Sequence, residues 1–283
     1  MAGFCWRAAA VALVLSAGAS LAAVNQNQLG NIVSDILNRY RPSYELPWGS
    51  RSFPMFSLAV SIPHNDIQKM YDVSKVTDCS ARVKEEVLKC NVYTSDRMVA
   101  ATVLRWPNVL RQCPNERVQW RDVLDKCPAG VKTWTDVQQR CPSAVTDGTA
   151  DHAEYRTVQS LHALLKKHNK DDLLIFYVLA SPCLNRCADE TNHRSILKHI
   201  IQIQKWKNYA FVFSDVFSPR SGQVIPEEDL RRALWQLGTY KGPLGSIGLN
   251  NIFRCTKQSA DSSKVTCRNC SQNNLVARDC FSK

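Results

Sequence analysis

The sequence has no glycine-rich phosphate loop and no HExxH pair. Beyond its N-terminal segment it has no apolar run near the roughly 20 residues that span a bilayer. These absences argue against a P-loop nucleotidase, a helical metalloprotease of that pattern and a membrane-spanning mature chain. Acidic residues are also scarce: 25 Asp and Glu face 36 Lys and Arg, for a formal net charge of +11 and a pI near 9.1. A surface so basic attracts polyanions, of which nucleic acid is the first to consider. Heparin-like sugars and anionic cell walls satisfy the same charge, so charge alone favours nucleic acid only weakly.

What is present begins with a processing signal. Arg7 precedes Ala8–Leu15, an apolar run, and then a small-residue tract from Ser16 to Ala23. That order predicts a secretory signal peptide over residues 1–23, cut near Ala22 or Ala23, and a secreted product with no membrane segment in its mature form. The 283 residues, 45% of them hydrophobic, supply a core for one large domain or two modest ones. Twelve cysteines agree with export to an oxidising compartment.

The apolar spacing of Leu29, Ile32, Val33, Ile36 and Leu37 predicts an amphipathic helix over Asn25–Tyr40, closed by Pro42 and Pro47. Met55–Ile62 and Arg97–Leu104 read as two strands that pair. A repeat follows over residues 106–142. Trp106, Trp120 and Trp134 each precede a Val by three residues and a Cys-Pro by seven, at a 14-residue period. The spacing puts Trp, Val and Cys on one helix face, and Pro ends each unit. We read this as an inserted subdomain of three short helices with Trp and Cys inside, in preference to exposed tryptophans that stack bases. Next come a helix (His152–His168), a strand (Leu173–Ala180), a helix (Leu184–Trp206), a strand (Tyr209–Phe213), a helix (Glu227–Leu237) and a strand (Ile247–Phe253). This alternation predicts an α/β fold, with the last two strands parallel because a helix joins them. The tail, 255–283, carries Cys255, Cys267, Cys270 and Cys280, which read as disulfide staples, and a sequon at Asn269-Cys-Ser271.

Four residues carry the chemistry: His152, Glu154, Cys183 and Cys187. They spell H-x-E followed by P-C-x-x-x-C, close to the H-x-E…P-C-x-x-C pattern of zinc nucleobase deaminases, with one extra residue between the cysteines. Hydrolytic deamination needs hydroxide at neutral pH, which a three-ligand zinc ion provides. An imidazole and two thiolates suit that ion, and a helix starting after Pro182 would put both sulfurs on one face. Glu154 is free to move protons as general acid and base. His152 and Glu154 are two apart, so they belong in the first turn of a helix, with Asp151 or Thr149 as N-cap. Removing Cys5, Cys183 and Cys187 leaves nine cysteines, an odd number, so at least one is unpaired within the chain or bridges to another chain. The remaining histidines, His64, His162, His168, His193 and His199, have no metal-site spacing.

On His152-Ala-Glu154, Ser181-Pro-Cys183, Cys187 and the element order, the chain resembles the cytidine deaminase superfamily, most closely the secreted AID/APOBEC-like deaminases. The resemblance covers Asn25 to Cys255, and we set a deaminase domain at 24–254 with the repeat inserted. It implies a three-layer α/β/α fold on a five-stranded mixed sheet. It implies Zn2+ held by His152, Cys183 and Cys187, with Glu154 as the catalytic proton shuttle. It further implies conversion of cytosine to uracil in single-stranded DNA or RNA, in immunity or nucleic-acid defence. Family members read a neighbouring base with an aromatic loop after the fourth strand. Phe217 takes that place here, with Asp215 and Ser181 as further candidate substrate contacts. Two positions depart from the family pattern. Leu179-Ala-Ser181 stands where Ser-Trp-Ser is typical, and Thr146-Asp-Gly-Thr149 stands where an Asn is often found. A free-cytidine or other nucleoside deaminase is therefore a second reading. A catalytically silent interaction protein is a third, against which the intact Glu154 speaks. Nothing in the sequence sets the oligomeric state.

Overall fold

The computed structural model describes residues 26–45, 49–167, 169–219, 222–257 and 264–282. The expected signal peptide, Pro47 and His168 lie outside the described residues. The first helix, α1 (Gln26–Tyr40), buries the apolar stripe read from its sequence and stops two residues before Pro42. In chain order the main elements that follow are β1 (Phe56–Ile62), α2 (Ser80–Leu88), β2 (Tyr93–Thr94), β3 (Met98–Thr102) and β4 (Leu104–Arg105). Then come α3 (Val109–Gln112), α4 (Arg121–Leu124), α5 (Trp134–Arg140), β5 (Ala150–Asp151), α6 (Ala153–Gln159) and β6 (Leu173–Ala180). The chain finishes with α7 (Leu197–Ile200), β7 (Asn208–Asp215), α8 (Glu227–Thr239), β8 (Ile252–Lys257) and β9 (Val265–Asn269).

The main sheet is mixed and seven-stranded, in the order β2-β3-β1-β6-β7-β8-β9. The five expected strands form its centre, and the apolar pattern missed one strand at each edge, β2 and β9. Two-residue β2 has no periodicity to read, and β9 lies in the polar tail. β6 runs parallel to β7, and β7 parallel to β8, with α8 as the crossover into β8. The remaining pairs in this sheet are antiparallel.

Every residue of β6 is buried, as a continuous apolar run in a two-sided strand should be. Leu173, Ile175 and Tyr177 join one core cluster with α1 and α2. Leu174, Phe176 and Val178 join another with residues of α6, α7 and α8. On the first face α1 packs against β9, and Gly30 makes the approach close. A Cβ at Gly30 would fall well inside contact distance of the Val265 carbonyl oxygen. Ala gains about 1 kcal/mol of helix propensity over Gly, whereas overpacking against a backbone atom costs about 1–3 kcal/mol. Gly30→Ala is therefore expected to lower stability by about 1 kcal/mol in urea unfolding, where an exposed helix position would gain.

Three helical expectations need correction. Where one helix is expected over 152–168, the described residues form α6 and then a 3-10 segment, Leu161–Lys166. The helix expected over Leu184–Trp206 shrinks to α7 followed by a 3-10 segment, Ile201–Lys205. Before it, Asp189 Oδ1 accepts from the Thr191 amide and hydroxyl, and Asn192 Oδ1 accepts from the Arg194 amide. Such local side-chain bonds compete with helical ones. The last expected strand starts at Ile252, because Leu249–Asn251 make a 3-10 turn.

The repeat builds a core of its own. Trp106, Trp120 and Trp134 are buried together, with the Trp134 ring 6.3 Å from Trp106 and 5.0 Å from Trp120. Only the third unit has a full capping box, Thr133 with Asp136, and it forms the longest of the three helices. Cys127 pairs with Cys141, and Cys113 reaches back to Cys90 beyond the end of α2. In the tail Cys255 pairs with Cys267 across β8–β9, and Cys270 with Cys280. Eight cysteines are thus bridged, and Cys79 is the exposed, unbridged odd one among the described residues.

Candidate functional site

The site grows from the place where the inserted repeat returns to the sheet. β5 pairs with β4, which leads into the repeat, so both ends of the insertion are hydrogen-bonded together. His152 follows β5 directly, and its extended backbone makes it the N-cap of α6. The expected caps, Asp151 and Thr149, do not serve. Glu154 is then the second residue of the first helical turn, which lets residues two apart face one site.

Asp151 is fixed from two sides: Trp120 Nε1 donates to its Oδ2 at 2.8 Å, and the Arg194 guanidinium pairs with Oδ1. Two residues beyond Glu154, the buried Arg156 donates to the carbonyls of Thr102 and Cys90, at 2.6 Å each, and to Gln119 Oε1 at 2.7 Å. Burial lowers its pKa to about 10, so it remains a cation at neutral pH. These bonds tie α6 to β3 and to the residue that holds the repeat's disulfide. Arg156→Met leaves the Cys90 carbonyl with Gln119 Nε2 as its donor, at 2.6 Å, but takes the guanidinium from the Thr102 carbonyl and Gln119 Oε1, each at about 1–3 kcal/mol. A loss of about 3 kcal/mol in urea unfolding is the expected result.

Cys183 and Cys187 come from the loop after β6. No helix starts after Pro182; residues 184–188 form turns. The sulfurs converge all the same, because the Ala188 amide donates to the Cys183 carbonyl and the Ile196 amide to that of Cys187. His152 Nδ1 lies 3.1 Å from Cys187 Sγ and 3.7 Å from Cys183 Sγ. Ligand atoms of the three residues lie within 4.8 Å of one another, and the group could hold a metal ion. In a chain with eight bridged cysteines, these two buried sulfurs are not bonded to each other.

Glu154 is buried beside them, its Oε1 accepting from Cys187 Sγ at 3.0 Å and lying 3.7 Å from His152 Nδ1. Burial opposes the charged imidazolium, but hydrogen bonds to Cys183 and Glu154 outweigh it and raise the His152 pKa to about 10. Burial likewise works against the Glu154 carboxylate, yet the neighbouring His152 leaves its pKa lowered overall. The hydrogen bond from Cys187, helped by His152, brings Cys183 down to about 5. Burial pushes the Cys187 thiol well up. The protein groups themselves favour a thiolate at Cys183, the form a metal needs.

A cavity of about 490 Å³ opens above the cluster, lined by His152, Glu154, Cys183, Ser181 and Phe217 among others. Ser181 is buried and structural in its contacts: its amide donates to the Asp215 carbonyl at 2.8 Å, and its Oγ accepts from the Phe217 amide at 2.9 Å. It thereby fixes the loop that carries Phe217. Asp215 is exposed at the end of β7 and is not among the residues that line the cavity. Sequence reasoning missed Arg105, Asn108 and Arg186, which do line it. No spacing pointed to them, since the short strand pair and the loops that bring them together are not periodic.

The family described as Secreted Novel AID/APOBEC-like Deaminase 1 matches residues 114–283, more than half of the chain and all four cluster residues. Searches of curated proteins and of solved structures gave no match. Four disulfides fit an extracellular protein, and no helix among the described residues is long and apolar enough to cross a membrane. The chain belongs to the Secreted Novel AID/APOBEC-like Deaminase 1 family, which supports a deaminase-type function.

Proposed function

We propose that the protein is a secreted, zinc-dependent hydrolase that deaminates cytosine to uracil, in a cytidine-deaminase-like α/β/α frame set within residues 24–254. The observation that carries this is the convergence of one imidazole nitrogen, two unbridged sulfurs and one buried carboxylate under a single cavity. The donor set fits zinc. With Zn–N near 2.0–2.1 Å and Zn–S near 2.3 Å, a tetrahedral site spaces N and S by about 3.6 Å, against 3.1 and 3.7 Å here. His152, Cys183 and Cys187 would hold the ion.

When bound, zinc lowers the pKa of a coordinated water towards about 7 and supplies a nucleophile. The rest falls to the chain. Glu154 accepts a proton from the water and delivers it to the amine, which leaves as ammonia while the ring carbon gains oxygen. Its burial keeps bulk water from competing for that proton. Phe217 offers a ring face on which a base can stack, at a position that Ser181 fixes. The basic chain favours a polyanionic substrate, single-stranded DNA or RNA, in a nucleic-acid defence role.

The experiment is to incubate the purified mature chain with cytosine-containing single-stranded DNA, RNA and free cytidine and to score uracil. Uracil in the polymers supports the reading. Conversion of cytidine alone replaces it with nucleoside deamination, and no conversion anywhere removes the enzyme assignment.

A further inference from the structure

The lining of the cavity divides by origin. The segment between β7 and α8 gives Phe217 and Ile225, an aromatic ring and an apolar side chain. The β4–β5 pair and the loops beside it give Arg105, Asn108 and Arg186. Both arginines meet at Ala150, two residues before His152. Arg105 is its cross-strand partner, and Arg186 Nη1 donates to its carbonyl at 3.0 Å. Arg186 thus uses one of its donors and keeps the others. The half-buried Arg105 side chain has no hydrogen-bond or ion-pair partner among the described residues. Neither guanidinium pairs with Asp229, the acid on the cavity lining apart from Glu154.

A partly desolvated guanidinium without a counter-charge favours an anionic ligand. Arg105 is also held in place. Trp106, next in the chain, is locked into the tryptophan cluster, and β5 opposite is pinned through Asp151. The backbone is fixed this way, so binding orders the Arg105 side chain alone. A base that reaches Glu154 carries its sugar towards the cavity mouth, and the anion attached to a sugar is a phosphate.

We propose that Arg105 and Arg186 clamp the phosphate of a nucleotide whose base occupies the metal end of the cavity. The strand that enters the repeat and the loop after β6 thereby select the substrate, which is a nucleotide or nucleic-acid strand in preference to a free nucleoside. This rests on the deaminase reading above. Arg105 is the cleaner position to test, because no other side chain depends on it.

The test compares kcat/KM for cytidine, cytidine monophosphate and a short single-stranded DNA with a single cytosine, using the full mature chain, Arg105→Gln and Arg105→Lys. A charge-assisted hydrogen bond corresponds to about tenfold or more. The wild type is expected to favour the phosphate-bearing substrates over cytidine by about that factor. Arg105→Gln should lower the ratio about tenfold, and Arg105→Lys should restore part of it. For DNA, the slope of log affinity against log salt should fall in magnitude by about 0.7 on losing a phosphate contact. Preference for the monophosphate places the clamp on a free nucleotide, and preference for DNA alone places it on a strand. Equal use of cytidine by the wild type, or an unchanged ratio and salt slope in Arg105→Gln, overturns the clamp. If nothing is deaminated but DNA binds with an Arg105-dependent slope, the clamp stands and the deaminase reading falls. No binding of either phosphate-bearing probe overturns the clamp.

Discussion

Replacing Glu154 with Gln is expected to lower the deamination rate by roughly a hundred- to ten-thousand-fold, the usual contribution of a positioned general acid–base. Gln keeps the size and the hydrogen-bonding reach of the side chain, so the buried position remains filled. What is lost is the ability to take up and release a proton. The carboxylate lies 3.0 Å from Cys187 Sγ and 3.7 Å from His152 Nδ1, close enough to serve one reacting centre. The measurement pairs kcat with zinc content. A large loss of kcat at wild-type zinc assigns the proton work to Glu154; a rate equal to the wild type takes that role from it. A loss that merely follows the metal would make it a structural neighbour.

Trp134→Ala is expected to cost about 3–5 kcal/mol, the range for truncating a buried aromatic. Trp134 is fully buried and lies between the other two repeat tryptophans. Its Nε1 has no hydrogen-bond partner among the described residues, so Trp134→Phe keeps most of the packing and should cost much less. Trp120→Phe is different, because it removes the donor that holds Asp151 beside His152. Urea unfolding ranks the three. An Ala variant no weaker than the Phe variant would mean that the repeat has no packed core.

How far could the residues be read without coordinates? The cluster of His152, Glu154, Cys183 and Cys187 was legible because metal chemistry demands few residue types at short spacings. The five central strands and α1 were legible from apolar period. The repeat's buried tryptophans were legible because each stood in phase with a cysteine. Less could be seen where local polar bonds displace a regular helix, as in the Asp189–Asn192 turns before α7. The way Cys183 and Cys187 converge through a turned loop was hidden for the same reason. Arg105 and Arg186 were invisible for another: they are 81 positions apart in the chain and meet only through the backbone of Ala150. Asp215 differs from its neighbour Phe217: it is exposed at the end of β7 and is not among the residues that line the cavity.

The central claim is that one imidazole and two sulfurs hold a single ion. Metal analysis with zinc-edge X-ray absorption on the exported chain tests it most directly. The account predicts one zinc per chain with two sulfur ligands and one nitrogen, lost in Cys183→Ser. A chain free of zinc whose Cys183 and Cys187 are oxidised to a disulfide would contradict it.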